Sequence, residues 1–314
     1  MTNFASIDIG SHTARLLVSQ RVGPPGLFRP LIRKRAYIRL AESFDDHVGE
    51  TLKTDAIDRT LNTLEDFASI TRKFHVDTTY AVCTGVVRKA VNRDQFLNLI
   101  YHHTGIKAEV ISGKEEAHLT KKGVLHSLDI QGAPFIIFDL GGGSTEFIFG
   151  GKEDTKVKSI PLGAMTLTQR FLDSDPPEEK SIETLERFVD EALSDAFPNK
   201  TYSDNDSVVV GTGGTVTTLA AMHHAIDVKD IAPDRMNGLL LKRERLEACF
   251  DRMKTMTIDE RMKLPGLDRG RADVILAGAV VVMRILHFFR CFQMVVSLSD
   301  ILEGTLIANL EAKA

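Results

Sequence analysis

The sequence predicts an α/β protein of two domains with the same plan, residues 1–126 and 127–314. The first observation is an internal repeat, because the pattern of residues 4–18 ("FASIDIGSHTARLLV") returns at residues 137–150 ("IFDLGGGSTEFIFG"). The second is that each copy precedes alternating strand-like and helix-like apolar patterns, which is typical of α/β domains. The third is the length of 314 residues, which is enough for about two separate cores.

Both copies of the repeat have the pattern of two strands joined by a short turn that contains glycine and a hydroxyl residue. Alignment of the copies pairs Asp8 with Asp139, Gly10 with Gly141, Thr13 with Ser144, and Arg15 with Glu146. Apolar residues flank the turn at the same places in each copy. The repeat therefore predicts a β-hairpin at the start of each domain.

The remaining elements of the first domain follow from apolar spacing. The predicted strands are 4–10, 14–22, 31–40, 78–85 and 108–112, and the predicted helices are 53–74, 86–105 and 114–128. Thr54 is the predicted N-cap of the first helix, and Gly105 the predicted end of the second. The basic residues between Arg29 and Arg39 are predicted to form either a solvated strand face or a local positive groove for a polyanionic ligand.

The second domain repeats this order with additions. The predicted strands are 134–140, 144–150, 157–163, 207–214 and 291–299, and the predicted helices are 165–172, 181–197, 215–226, 271–289 and 300–313. Residues 233–253 and 261–270 show no clear place in this order, and they are predicted to be lid-like or connecting segments.

Composition excludes several functional classes. A net charge of −4 argues against general binding of nucleic-acid duplexes, and no apolar run approaches the ~18 residues of a membrane span. Three widely spaced cysteines (Cys83, Cys249 and Cys291) do not form a disulfide framework or a zinc site. The first residues lack the pattern of a secretory signal, so we expect a cytoplasmic protein without a membrane partner.

The repeated turns predict phosphate binding. Glycine lets the backbone approach a ligand closely, and an array of N–H groups and hydroxyls can hold phosphate oxygens. Asp8 and Asp139 end the strands before the turns, where a carboxylate can hold hydrated Mg²⁺ or orient a water. A third glycine-rich turn opens a helix, which is typical either of an anion or nucleotide site or of a tight strand-to-helix turn. The candidate phosphate-binding residues of the three turns are Gly10, Ser11, His12 and Thr13; Gly141, Gly142, Gly143, Ser144 and Thr145; and Gly211, Thr212, Gly213, Gly214 and Thr215.

The chain resembles the exopolyphosphatase/guanosine pentaphosphatase (Ppx/GppA) family, in its short two-domain form without a C-terminal HD-type domain. The resemblance rests on six segments in family order: "IDIGSHTARLLV", "CTGVVRKAVN", "VISGKEEA", "FDLGGGSTEF", "VVGTGGTVTTLA" and "LPGLDRGRADVILAG". It implies two ribonuclease-H-like domains of the actin/Hsp70/hexokinase type with an interdomain cleft. It also implies a phosphoanhydride hydrolase that uses Mg²⁺, or Mn²⁺ in its place, and it allows a homodimer.

The resemblance leaves several functions open. The first is an exopolyphosphatase that removes terminal phosphate from inorganic polyphosphate. The second is a 5′-phosphohydrolase of guanosine pentaphosphate, which ends in the same phosphoanhydride. A non-catalytic sensor that binds nucleotides such as guanosine tetraphosphate, and a sugar kinase, are alternatives of other classes. One departure from the family pattern is "SDILEG" (residues 299–304), which is shorter than the family sequence and lacks its arginine.

Two adjacent glutamates compete for the role of catalytic base that the family gives to this segment. Ser112 and Glu115 have the spacing of a capping box, which would use Glu115 to hold the start of a helix. Glu116 points about 100° away around the helix and matches the family's catalytic glutamate. We therefore expect Glu116 to accept a proton from the attacking water.

Other site residues are implied by the resemblance. Asp139 and Glu146 are expected to assist catalysis, with Asp8 and Asp139 as metal ligands. Arg15 and Arg88 are candidate phosphate ligands, although Arg88 also fits a solvated helix residue. His12 stands where the family usually has asparagine, and it is either a phosphate contact or an exposed turn residue.

Overall fold

The computed structural model describes residues 2–23, 27–42, 51–130, 132–151, 155–198 and 207–312. The chain divides into two compact units, one made of Met1–Gly123 with Asp300–Ala314 and the other of Val124–Ser299. Each unit contains a mixed sheet with helices, so the predicted α/β class is confirmed. Among the residues just given, no helix is long and apolar enough to cross a membrane.

The first unit contains a five-stranded sheet with the order β3-β2-β1-β4-β5. Its strands are β1 (Asn3–Ile9), β2 (Thr13–Arg21), β3 (Phe28–Tyr37), β4 (Thr78–Cys83) and β5 (Ala108–Val110). The predicted hairpin is confirmed, since β1 and β2 pair antiparallel. Because β1, β4 and β5 run parallel, their carboxyl ends lie at one edge of the sheet, and this edge carries the candidate residues of the unit.

The helices of the first unit differ from the prediction at two places. They are α1 (Thr54–Lys73), α2 (Val86–Lys89), α3 (Arg93–Thr104) and α4 (Gly113–Ser127), the last of which passes into the second unit at Val124. Thr54 is the first helical residue, so the N-cap is Lys53, which makes no capping bond through its side chain. The single helix predicted over 86–105 is wrong, because Ala90 is extended and the Asn92 amide exchanges two 3.0 Å hydrogen bonds with the Leu52 backbone. Helix α3 ends at Gly105, as predicted, and the structure adds that this glycine has the left-handed conformation.

The second unit repeats the strand order of the first. Its strands are β6 (Phe135–Leu140), β7 (Thr145–Gly150), β8 (Lys156–Ile160), β9 (Val208–Thr212), β10 (Leu240–Lys242) and β11 (Gln293–Val296). The order β8-β7-β6-β9-β11 matches that of the first sheet, and β10 is added at its edge. The hairpins also share a register, since Asp139 faces Glu146 as Asp8 faces Arg15. The sequence repeat is therefore a repeat of structure.

Helices pack on this second sheet around a large apolar core. They are α5 (Ala164–Phe171), α6 (Glu179–Ala196), α7 (Gly214–His223), α8 (Pro233–Met236), α9 (Arg243–Met253), α10 (Ile258–Arg261) and α11 (Ile275–Phe288). α11 is apolar on nearly all sides and is buried. The lid-like or connecting role predicted for 233–253 and 261–270 is wrong for 233–253, because this segment supplies β10 and α9, whose Leu246 and Phe250 belong to the core.

The terminal helix α12 (Ile301–Glu311) belongs to the first unit, whereas the sequence placed it in the second domain. Leu302, Leu306 and Leu310 form a buried cluster with Phe4 of β1 and Leu17 of β2. The spacing of these leucines predicts an apolar helix face, but it does not specify which sheet that face covers. The chain therefore returns to its first unit at Asp300.

Candidate functional site

The turns after β1 and β6 are closed in the same way. The Gly10 N–H donates to the Thr13 carbonyl at 3.0 Å, and the Gly141 N–H donates to the Ser144 carbonyl at 3.0 Å. Residues 10–13 and 141–144 are thus equivalent turns, as their alignment predicted. We call them the first and second turns.

The carbonyl groups of the second turn bind the start of α5. The Ala164 N–H donates to the Gly141 carbonyl at 3.0 Å, and the Met165 N–H donates to the Gly142 carbonyl at 3.0 Å. A helix begins with N–H groups that lack partners within it, and these carbonyls satisfy two of them. In a trans peptide the N–H points opposite to the C=O. The amides of Gly142 and Gly143 therefore face away from α5, as a phosphate-binding array requires.

Gly163, directly before α5, holds this arrangement in place. A Cβ atom at Gly163 would lie 2.3 Å from the Gly142 carbonyl oxygen and 2.3 Å from the Gly143 Cα. No side chain fits at this distance, so the second turn rests on bare backbone. The sequence prediction missed Gly163, although a glycine just before a predicted helix signals a close approach.

The first turn is backed by the segment after β3. The Ser11 carbonyl accepts from Ala41 N–H at 2.9 Å, and the His12 carbonyl accepts from Ile38 N–H at 3.1 Å. The Ser11 hydroxyl accepts the Val86 N–H at 3.1 Å, so it already caps α2. The His12 ring is only 5% exposed and meets Tyr37 edge-on at 5.3 Å between centroids. The alternative of an exposed turn histidine is therefore wrong.

The third turn lies beside Asp139. Gly213 has a φ of 96°, and a Cβ there would lie 2.4 Å from the Leu140 carbonyl oxygen and 2.9 Å from Asp139 Oδ1. α7 begins at the next residue, so its free N–H groups start near the Asp139 carboxylate. The hydroxyls of Thr212 and Thr215 are buried and make no hydrogen bond to any residue whose position is described. The structure thus brings the second and third turns together in one unit.

Arg271 packs beside the third turn, at the start of α7, and the sequence prediction missed it. A Cβ on Gly214 would overlap its guanidinium at 1.7 Å, so Arg271 packs directly on the first residue of α7. The side chain is 7% exposed, and its backbone N–H donates to the Asp268 carbonyl at 2.8 Å. The segment "LPGLDRGRADVILAG" supported the resemblance, but the sequence prediction made Arg271 the first residue of the helix 271–289 and gave it no role in the site.

Glu146 is held by two serine hydroxyls. Ser144 of the second turn donates to Glu146 Oε1 at 2.8 Å, and Ser159 of β8 donates to the same oxygen at 2.6 Å. Glu146 is 2% exposed, and Ser159 faces it in the ladder between β7 and β8. The sequence prediction missed Ser159, because only strand pairing brings it next to Glu146.

The predicted capping box at the start of α4 is confirmed. Glu115 Oε2 accepts from the Ser112 N–H at 2.8 Å, and the Glu115 N–H donates to the Ser112 hydroxyl oxygen at 3.2 Å. The Ser112 N–H and the Ser112 hydroxyl both donate to Glu115 Oε2 at 2.8 Å, and these two bonds lower the pKa of the Glu115 carboxyl. Glu115 is exposed, and its carboxylate is engaged in capping the N-terminus of α4.

Glu116 points into a different environment. It is 9% exposed, and its Oε2 accepts a 2.9 Å hydrogen bond from Arg88 Nη1. Arg88 also donates to the Ile111 carbonyl at 2.9 Å, which ties it to the end of β5. The alternative of a solvated arginine is therefore wrong. Arg88 fixes the orientation of the carboxylate predicted to be the base.

Asp8 and Arg15 form a two-point pair across the β1–β2 hairpin. Arg15 donates to Asp8 Oδ2 through Nε at 2.9 Å and Nη2 at 2.7 Å. Burial raises the pKa of Asp8 above its usual value, and the Arg15 charge opposes this only in part. Arg15 also bonds Asp300, so it is already engaged by two carboxylates.

The shortened "SDILEG" segment forms the N-terminus of α12. Asp300 accepts the Leu302 N–H at 3.2 Å, and Glu303 accepts the Asp300 N–H at 3.1 Å, which is a second capping box. Glu303 also pairs with Arg33 of β3. Burial lowers the pKa of Arg33 to about 10, so the prediction of a solvated basic face is wrong at this residue.

The carboxylates of Asp8 and Asp139 are candidate donors to a metal ion that takes its other ligands from water and substrate. Over the described ranges, no group of three or more His, Cys, Asp or Glu side chains could hold a metal by itself. Arg15 bonds only Oδ2 of Asp8, so it leaves the buried Oδ1 to other donors, and Asp139 presents its carboxylate beside the third turn. Mg²⁺ commonly takes one or two carboxylates and completes its shell with waters and phosphate oxygens. Each of these carboxylates, taken by itself, is an oxygen donor of the kind that Mg²⁺ and Mn²⁺ take.

Comparison with known proteins relates the chain to one family. The profile of the Ppx/GppA phosphatase family matches residues 18–313. Exopolyphosphatase 2 of Mycobacterium tuberculosis is 35% identical over 319 residues, covering 97% of this chain and 97% of that protein. The crystal structure of the Aquifex aeolicus Ppx/GppA family member has a TM-score of 0.81 at 29% identity, over 99% of this chain and 98% of that one. An exopolyphosphatase from Cytophaga hutchinsonii has a TM-score of 0.88 at 26% identity, over 99% and 98% of the two chains.

Proposed function

Because the chain belongs to the Ppx/GppA phosphatase family, we propose that it is an exopolyphosphatase that removes the terminal phosphate of inorganic polyphosphate. Family membership makes it a phosphoanhydride hydrolase. The similarity to relatives named exopolyphosphatase supports the choice of substrate.

The observation that carries the proposal is the contrast between two adjacent glutamates. Glu115 is used by the cap of α4, while Glu116 is nearly buried and held by Arg88. A water that attacks the terminal phosphorus must lose a proton, and a positioned carboxylate can accept it. Glu116 is the acceptor in this proposal, and Arg88 is the residue that orients it.

Substrate binding follows from the backbone of the turns. The Gly142 and Gly143 amides face away from α5 and would donate to phosphate oxygens. The start of α7, beside Gly213, would supply further N–H donors. Phosphoryl transfer depends mainly on positioning and on neutralising charge, so these donors matter as much as the base.

A divalent cation would complete the charge balance, and members of this family generally depend on one. Asp139 would hold it together with oxygens of the substrate, and Asp8 Oδ1 is a second candidate donor. When bound, the ion would neutralise negative charge that develops on the phosphate oxygens. The protein's own task at this point is to orient the carboxylates, which the Asp8–Arg15 pair does for Asp8.

Substitution of the two glutamates tests the assignment. Glu116→Gln should lower turnover by about 10²-fold or more while substrate still binds, because general-base catalysis contributes about 10²–10⁴-fold. Glu115→Gln should change rate and stability little, since glutamine also serves in a capping box. Glu115→Ala should cost about 0.5–1 kcal/mol of stability with catalysis mostly intact.

The measurements are phosphate release from polyphosphate and thermal melting of all three variants. An inactive Glu115→Gln beside an active Glu116→Gln would show that the wrong carboxylate was assigned. Guanosine pentaphosphate in the same assay tests the choice of substrate. If it were cleaved faster than polyphosphate, the proposed substrate would be wrong.

A further inference from the structure

A pocket lies in the second unit at the opposite edge of the sheet from the third turn. β9 and β11 run parallel, the third turn follows the carboxyl end of β9, and the pocket borders the amino end of β11. It has a volume of about 580 Å³ and is lined by Asp190, Arg243, Arg284, His287, Arg290 and Phe292 among others. No candidate residue of the phosphohydrolase site lines it. Its volume is within the range of small-molecule sites, which is about 300–1,000 Å³.

The charge of this pocket is opposite to that of the whole chain. The chain carries a net charge of −4, whereas the lining includes three arginines and one aspartate. Arg284 is neutralised by Asp190, which accepts its Nε at 2.7 Å. Arg290 is exposed and makes no ion pair with any described residue. Arg243 lies 3.4 Å from the exposed Glu247, a contact that solvent screens. The pocket therefore attracts an anion, chiefly through Arg290 and Arg243.

An aromatic face accompanies these charges. Phe292 is 79% exposed, the highest value among the exposed large apolar side chains described. The Arg243 guanidinium carbon lies 5.4 Å from the centroid of its ring. A large apolar side chain left in water at the rim of a cationic pocket gains free energy when a flat ring covers it. Inorganic phosphate alone would leave this ring uncovered.

We propose that this pocket binds a nucleoside phosphate. Arg290 and Arg243 would hold the phosphate oxygens, since arginine donors match phosphate geometry. Phe292 would stack on the base, because every base offers an aromatic face. This site is separate from the one that acts on the phosphoanhydride, and it does not depend on the choice of polyphosphate as substrate.

Two substitutions test the proposal without disturbing the fold. Phe292→Ser removes a ring that is mostly in solvent. Arg290→Gly removes a charge at a residue with a φ of 54°, a conformation that glycine adopts more readily than arginine. The matched controls are Tyr101→Ser, an exposed aromatic residue of the first unit, and Arg245→Ala, an exposed arginine of α9 outside the lining.

The experiment is calorimetric titration of each full-length variant with ATP in the presence of EDTA. We expect each pocket variant to weaken binding at this site at least about fivefold, as loss of one stacked ring or one phosphate contact typically does, and each control to stay within about twofold. Labelling with 8-azido-ATP should modify a peptide that contains residues 287–292, which distinguishes this pocket from the phosphohydrolase site.

Three results would overturn the proposal. Absence of ATP binding up to millimolar concentration would exclude the site. Unchanged affinity in both pocket variants, with labelling elsewhere, would place the nucleotide at another site. A loss with Arg290→Gly but none with Phe292→Ser would show a phosphate site that does not read the base.

Discussion

The substitution Gly163→Ala tests whether the second turn is a rigid phosphate cradle. A Cβ at this residue would lie 2.3 Å from the Gly142 carbonyl oxygen and from the carbonyl carbon and Cα of Gly143. Non-bonded carbon atoms in folded proteins are usually at least about 3.4 Å apart. The turn, or the start of α5, must therefore move by about 1 Å. The obstacle is backbone, so no side-chain rotation relieves it.

Gly163→Ala is expected to lower both the stability and the catalytic efficiency of the protein. Forcing a methyl group into a packed site typically costs about 1–3 kcal/mol, and strained hydrogen bonds from Ala164 and Met165 to the turn would add to this. A total of about 2–3 kcal/mol would lower the melting temperature by about 4–10 °C. A displacement of about 1 Å in a binding group can lower catalytic efficiency by about 10²-fold.

The assay combines thermal melting with kcat/KM for phosphate release, and Gly10→Ala is the matched control for melting. A Cβ at Gly10 would meet the Thr13 carbonyl oxygen at 3.4 Å and Thr84 Oγ1 at 3.7 Å, which are ordinary contacts. Gly10→Ala should therefore melt within about 2 °C of the wild type. Our reasoning would be refuted if Gly163→Ala kept both the melting temperature and the activity of the wild type.

Three further predictions concern the carboxylates. Ser159→Ala removes one of the two hydroxyl donors to Glu146, so kcat should fall about tenfold while the melting temperature changes little. An unchanged kcat would show that Ser159 does not position Glu146. Activity should be lost in EDTA and restored by Mg²⁺ or Mn²⁺. Melting should change little, because no group of three or more described His, Cys, Asp or Glu side chains could hold the ion by itself. Full activity in EDTA would contradict this. Burial raises the pKa of Asp8 above 3.8, so the folded state holds this proton more tightly than the unfolded chain does. The unfolding free energy of the wild type, relative to that of Asp8→Asn, should therefore fall as the pH rises from about 4, by up to about 1.4 kcal/mol per pH unit. Urea titrations at several pH values measure this difference. A rise with pH would mean that the Arg15 charge outweighs burial.

Local patterns in the sequence were enough to predict several parts of the site. The two hairpins follow from apolar runs on either side of a glycine-rich turn, and their common register follows from the repeat. The Ser112–Glu115 capping box was predicted because its partners are three residues apart, so the helix geometry alone brings them together. The same geometry separated Glu116 from Glu115 and placed it against Arg88, whose contact the sequence did not indicate.

Interactions between distant residues were decided only by the tertiary structure. Ser159 reaches Glu146 through strand pairing, and Arg271 reaches Gly214 through a connection that has no regular pattern of its own. Asp300 reaches Arg15 because α12 packs on β1 and β2, although the chain order suggested the other sheet. An apolar helix face gains free energy on any complementary apolar surface, so periodicity reports that the face is buried but not against which partner. The sequence by itself therefore determined the hairpins, the cap and the candidate residues within each segment, and the packing of distant segments decided which charges meet.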